Sequence, residues 1–161
     1  MRPSIKFAKE HFKDKEEIIC AEIGVQHGYH AMEILDLWRQ VKKIYLIDMY
    51  KEGASWAILF HALCFLMPYK DKTIWLIGDS KEVINYLPDN RFDFIYIDAD
   101  HSEEGCRSDI IKSYPKVIHN GILCGHDFGD SRVQKAVQDF ANANNLKLFS
   151  DSGDWWFIKN G

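Results

Sequence analysis

The chain has 161 residues, 47% of them hydrophobic and 27% charged, a size and composition that suit one compact domain spanning residues 1–161 with a core able to fold alone. A net charge of −4 leaves no basic footprint for nucleic acid or an acidic membrane surface. The charged first twenty residues hold no apolar signal segment, and the longest apolar stretch, residues 57–67, is interrupted by His61 and is too short to cross a bilayer. The four cysteines (Cys20, Cys64, Cys106, Cys124) show no C-x-x-C spacing, and Cys20 and Cys124 lie in strand-like apolar runs as buried free thiols would. A cytoplasmic protein without membrane or nucleic-acid partners is expected.

In chain order, residues 7–16 read as a short charged helix and Ile18-Ile19-Cys20-Ala21-Glu22-Ile23 as a buried parallel strand. Apolar residues at 31, 34, 35 and 38 predict a helix over 29–40, and Ile44-Tyr45-Leu46-Ile47 a second strand ending at Asp48. Residues 55–67 are helical in length and apolar nearly all round, with Pro68 as the stop. Thr73-Ile74-Trp75-Leu76-Ile77 is a third strand. After it, Asp79 or Ser80 can cap a helix over 81–87. A fourth strand over 92–97 ends at Asp98, a helix over 103–114 meets Pro115, and Gly121-Ile122-Leu123-Cys124 is a fifth strand. A serine-capped helix follows over 131–143. Leu146-Lys147-Leu148-Phe149 and Trp155-Trp156-Phe157-Ile158 flank Asp151-Ser152-Gly153-Asp154 as a β-hairpin. Five strands alternating with helices predict a doubly wound, mostly parallel α/β sheet to which the C-terminal hairpin adds an antiparallel strand.

Such sheets bind ligands at the carboxyl ends of their strands. Glu22, Asp48, Asp79, Asp98 and Asp127 all fall at or just past predicted strand ends. The loop Glu22-x-Gly24-x-x-x-Gly28 gives a sharp turn and lets a ligand approach the main chain. It lacks the G-x-G-x-x-G of dinucleotide sites, because position 26 is glutamine and position 29 tyrosine, so a ligand without phosphates fits better. Asp48, twenty residues after Gly28, can accept both hydroxyls of a ribose, and Gly78-Asp79-Ser80 is placed to meet an adenine ring.

These blocks, with Ile97-Asp98-Ala99-Asp100-His101-Ser102 and Gly121-Ile122-Leu123-Cys124-Gly125-His126-Asp127-Phe128, resemble the small class I S-adenosylmethionine-dependent methyltransferases of the sugar and small-molecule O-methyltransferase group, family 24-like. The likeness runs from about Ile18 to Lys159 and implies a Rossmann-like methyltransferase fold. It places Glu22 and Gly24 at the methionine end of S-adenosylmethionine, Gly28 on the same cofactor-binding loop, Asp48 at the ribose, Asp79 and Ser80 at the adenine, and Asp98 beside the cofactor. It implies His101 and Asp98 as catalytic residues, with His101 the base, and Asp98 and Asp127 as ligands of Mg²⁺ or another divalent metal. His30 stands where relatives carry serine or threonine. Phe128 stands where catechol-type relatives carry asparagine, and His126 is a softer metal donor than Mg²⁺ prefers, which leaves metal-assisted and metal-free transfer both open. The helix after His101 offers a plainer role for Asp100 or Ser102, as caps.

The expected acceptor is a hydroxylated small molecule such as a sugar or glycosylated metabolite. No Asp/Asn-Pro-Pro-aromatic run for amino-group acceptors follows the fourth strand. A nicotinamide-dependent oxidoreductase and a non-catalytic nucleoside-binding module are the alternatives; the missing third glycine and the antiparallel tail count against the first. The apolar helix over 55–67 and the adjacent Trp155 and Trp156, which must face opposite sides of a strand, predict a homodimer unless that helix is buried in its own domain.

Overall fold

The computed structural model describes residues 1–51 and 55–160. Helix α1 (Pro3–His11) precedes β1 (Ile18–Ile23), α2 (Tyr29–Leu37) and β2 (Val41–Asp48). Then come α3 (Ser55–Phe65), β3 (Thr73–Ile77), α4 (Ser80–Val83), β4 (Phe92–Ile97) and α5 (Glu103–Ser113). The chain continues through β5 (Val117–Gly125), α6 (Ser131–Ala143), β6 (Phe149–Asp151) and β7 (Asp154–Ile158). The strands form one sheet in the order β3-β2-β1-β4-β5-β7-β6. β1 to β5 pair in parallel, and β7 runs antiparallel to both β5 and β6; the expected hairpin forms, but its first strand is Phe149–Asp151 rather than 146–149 and Asp151 pairs with Asp154.

Both faces of the sheet are covered, which is why its central strands read as unbroken apolar runs; all six residues of β4 are buried. On one face Ile5 and Ala8 of α1 and Ala31, Ile34 and Leu35 of α2 pack on Ile18, Cys20, Phe94 and Trp156. On the other, Cys106 and Ile110 of α5 and Val133, Val137 and Phe140 of α6 pack on Ile95, Leu123, Trp155 and Phe157.

Several expectations shift. The first helix spans Pro3–His11 rather than 7–16, because Pro3 fits the first helical turn, where its missing N–H costs nothing. Helix α2 stops at Leu37; Trp38 turns inward and its Nε1 donates to Gln40 at 3.1 Å. Strands β2 and β5 begin earlier than the apolar runs suggested. The predicted helix over 81–87 is one α-turn, α4, followed by a 3₁₀ turn at Ile84–Tyr86. Asp130, not Ser131, caps α6, accepting from Arg132 N–H at 2.9 Å. Neither tryptophan of β7 is exposed: Trp155 is 0% and Trp156 7% accessible, the latter covered by Phe7 of α1 at 5.4 Å between rings. Helix α3, by contrast, is not buried in its own fold: Leu59 and Ala62 face inward, while Trp56, Phe60 and Leu63 are exposed.

Candidate functional site

β1 and β4 are neighbours in the sheet although their connections leave in opposite directions, and a crevice opens where the strand order reverses. Ladder hydrogen bonds continue past the strand ends and hold the loops in one row. Gly24 N–H donates to Ile47, Gly78 N–H to Asp48, Asp98 N–H to Ile23 and His126 N–H to Ile97, at 2.8–3.1 Å. A cavity of about 690 Å³ lies above that row, its wall including Glu22, Gly24, Asp48, Asp79, Ser80, Asp98 and His101. The sequence had named all seven.

Gly24 is the tightest point of the wall. Its φ is +88°, and a Cβ there would stand 2.0 Å from the carbonyl oxygen of Asp98, so only glycine lets the two loops meet. Gly28 also has positive φ (+81°) but does not line the cavity. A Cβ on it would meet Leu66 at 3.0 Å and Ala62 at 3.6 Å, so it packs the start of α2 closely against α3 and Leu66.

Asp48 is occupied more than expected. Its Oδ2 accepts from the amides of Val25 and Gln26, each at 2.8 Å, and its Oδ1 from Tyr50 N–H at 3.2 Å. A carboxylate offers about four acceptor positions. The three bonds shape the glycine loop and leave room on Oδ1 for one hydroxyl, not two. Tyr50 donates its phenol hydrogen to Gln26 O at 2.6 Å and braces the same loop. Asp79 caps α4 by accepting from Lys81 N–H at 2.9 Å, and Ser80 donates its hydroxyl to Asp109 at 2.7 Å. Ser80 therefore faces the cavity as an acceptor.

Glu22 is buried on the cavity wall and its Oε1 lies 3.5 Å from His30 Nδ1. Burial raises its pKa, against the opposing pull of His30. Glu22 Oε2 and both ring nitrogens of His30 are buried without a hydrogen-bond partner. Buried polar atoms without partners are costly, and here they lie beside a cavity that a polar ligand could fill.

At the other side, His101 Nε2 lies 3.4 Å from Asp98 Oδ1 and 3.0 Å from Asp127 Oδ2. One donor atom from each of Asp98, His101 and Asp127 falls within 4.8 Å of the other two, the spacing of a site that could close on a divalent cation. Asp127 holds a left-handed backbone (φ 56°), which aspartate tolerates better than most residues, and His126 Nδ1 lies 3.2 Å from its Oδ1. Asp100 belongs to the helix entrance instead. It accepts from Ser102 N–H at 2.9 Å, which lowers its pKa, while Ser102 accepts from Gly105 N–H at 3.0 Å to cap α5.

Arg2, Gln26, His27, Tyr29 and Lys81 also line the cavity. No sequence signal marks Arg2, which reaches the site only because α1 folds over β7. Gln26 and Tyr29 could have been found as the loop positions that replace the glycine pattern of dinucleotide sites.

A family model described as a methyltransferase domain matches residues 21–128, about two thirds of the chain. No curated protein matches the sequence significantly. Among solved structures, the O-methyltransferase NovP superposes with a TM-score of 0.74 at 14% identity, over 98% of this chain and 78% of that one. CalS11, a TDP-rhamnose 3′-O-methyltransferase of calicheamicin biosynthesis, gives 0.72 at 16% identity over 98% and 78%. The methyltransferase PaMTH1 of Podospora anserina, bound to S-adenosylhomocysteine, gives 0.75 at 15% identity over 99% and 80%. The matched segment carries the glycine loop, the strand-end acids and the Asp98–His101–Asp127 cluster together, and the chain belongs to the methyltransferase-domain family.

Proposed function

We propose that the protein transfers a methyl group from S-adenosylmethionine to a hydroxyl of a small molecule, a sugar or glycosylated metabolite. The observation that carries this reading is the convergence of Asp98, His101 and Asp127, the first two on the wall of a cavity that Gly24 also lines and to which Glu22 and His30 bring unpartnered atoms. Glu22 and Gly24 hold the methionine end of the cofactor, Oδ1 of Asp48 one ribose hydroxyl, and Asp79 and Ser80 the adenine. S-adenosylmethionine, when bound, supplies an electrophilic methyl carbon on a sulfonium.

His101 takes the acceptor's proton. Two carboxylates face its Nε2, so that nitrogen carries the imidazole hydrogen and Nδ1 is left to accept the proton as the acceptor oxygen forms its new bond to carbon. Asp98 and Asp127 hold the ring and stabilise the imidazolium that results. The same two acids would hold Mg²⁺ or a similar cation, which would lower the pKa of a bound hydroxyl, with His101 beside it as the base. Neighbours that act on sugars, such as the TDP-rhamnose enzyme, support the acceptor class.

Turnover with labelled S-adenosylmethionine and a panel of hydroxylated acceptors tests the assignment. His101→Ala and Asp98→Ala are expected to lower kcat by about 10²- to 10⁴-fold, and unchanged turnover in either would contradict it. EDTA is expected to suppress activity and Mg²⁺ to restore it; turnover intact in EDTA removes the metal. We further propose that the exposed face of α3 is covered by a second copy of the chain.

A further inference from the structure

Asp154 opens β7 and is buried, 1% accessible. Four donors converge on it: Ser4 N–H at 3.1 Å, the Ser4 hydroxyl at 2.5 Å, the Tyr96 hydroxyl at 3.1 Å and the Arg2 guanidinium at 3.4 Å. This carboxylate pins the start of α1 over the ends of β4 and β7. Arg2 is thereby brought to the cavity wall, its Cζ 5.5 Å from the centroid of the Tyr96 ring and one terminal nitrogen 3.9 Å from Asp98 Oδ2. That last distance is too long for a hydrogen bond. Asp154 accepts one of the five guanidinium N–H groups, and among the described residues the Arg2 guanidinium makes no other hydrogen bond.

On the same wall Glu22 Oε2 is buried without a partner. The ligand group that fits between them must present a cation to Glu22 and an anion to Arg2. An α-amino-acid end, with its ammonium and carboxylate on one carbon, does both. Lys81, the other long cationic side chain on the wall, follows β3 at the far edge of the row and cannot serve the β1–β4 crevice.

We propose that Arg2 binds the carboxylate of the cofactor's amino-acid end, held in place from behind by Asp154. The proposal rests on the S-adenosylmethionine reading given above. Charge-assisted hydrogen bonds to a carboxylate are strong and geometrically selective when an arginine makes them. The binding therefore discriminates between ligands with and without that carboxylate.

Calorimetry on the full chain with S-adenosylhomocysteine and with its decarboxylated analogue, which keeps the adenosine, thioether and amine, tests this. The wild type is expected to bind S-adenosylhomocysteine about 10- to 100-fold more tightly than the analogue. Arg2→Gln is expected to remove that preference and leave the analogue's affinity unchanged. A Gln variant that keeps the preference, or that weakens both ligands equally as a merely structural residue would, overturns the proposal. Independently of any variant's folding, the Arg2 guanidinium ¹⁵Nε resonance of the wild type is expected to shift with S-adenosylhomocysteine and not with the analogue; an equal response overturns it too. A wild type that binds neither ligand fails the cofactor reading itself, and Arg2's role falls with it.

Discussion

Asp109 shows how one side chain links the cavity to the fold's stability. It sits buried on α5, takes the Ser80 hydroxyl on Oδ1 and leaves Oδ2 without a partner. Burial pushes its carboxyl up to about 6; the Ser80 hydrogen bond and Lys81 pull it down, and Asp100 and Asp79 push it up. The unfolded value is near 3.9, so the folded state favours the neutral acid. That contribution is full below about pH 4 and is lost as pH rises through about 6, a change of about 2–3 kcal/mol for a shift of roughly two pKa units. Asp109→Asn has no such titration. Urea denaturation should therefore show the variant gaining about 2–3 kcal/mol on the wild type between pH 4 and pH 7, whereas a difference constant across that range would contradict the assignment. Among the site residues, the strand-end acids were legible because a parallel sheet carries every strand's carboxyl end to one edge. Arg2 was not, since its partner Asp154 lies 152 positions away and only the packing of α1 brings them together. Nor were the three backbone bonds on Asp48, which depend on the loop's exact path.

At the scale of elements, buried strands were easier to read than helix ends. β1 and β4 begin and end where their apolar runs do, because both faces are covered and polar residues mark the boundaries; the half-exposed edge strand β3 also keeps its expected ends. Helix ends moved by several residues where a side chain such as Trp38 left the helix for the core, or where Pro3 opened one early. The opposite facing of the tryptophan pair of β7 was legible from strand alternation, but the cover that Phe7 gives Trp156 was not, because no sequence signal ties α1 to β7. Helix α3 went the other way. Its sequence is apolar nearly all round, yet Trp56 is 58%, Phe60 69% and Met67, just beyond it, 55% accessible, and exposed apolar surface of this kind marks contact sites. Tyr29 carries the patch to the cavity rim through edge-on packing with His61 and Phe65. Self-association through α3 should appear in sedimentation at high micromolar concentration and be lost in the Trp56→Ser/Phe60→Ser double variant. A wild type that sediments only as monomer would refute it.

For the whole molecule, the alternation of strands and helices gave the doubly wound sheet, and the turn cluster before β7 gave its antiparallel strand. Chain order alone did not fix which strands are neighbours. The order β3-β2-β1-β4-β5-β7-β6 follows from covering both faces with right-handed crossovers and inserting β7 beside β5. Among the described residues no helix is long and apolar enough to cross a membrane. The sheet is shared by enzymes of unrelated chemistry, so the central claim rests on the loop after β1. There Gln26 and Tyr29 replace the glycine pattern that would admit a pyrophosphate, and Gly24 abuts Asp98. The most direct test is calorimetry with S-adenosylhomocysteine and NAD(H) side by side. Saturable binding of S-adenosylhomocysteine with no response to NAD(H) is the predicted result; binding of NAD(H) without S-adenosylhomocysteine would contradict it.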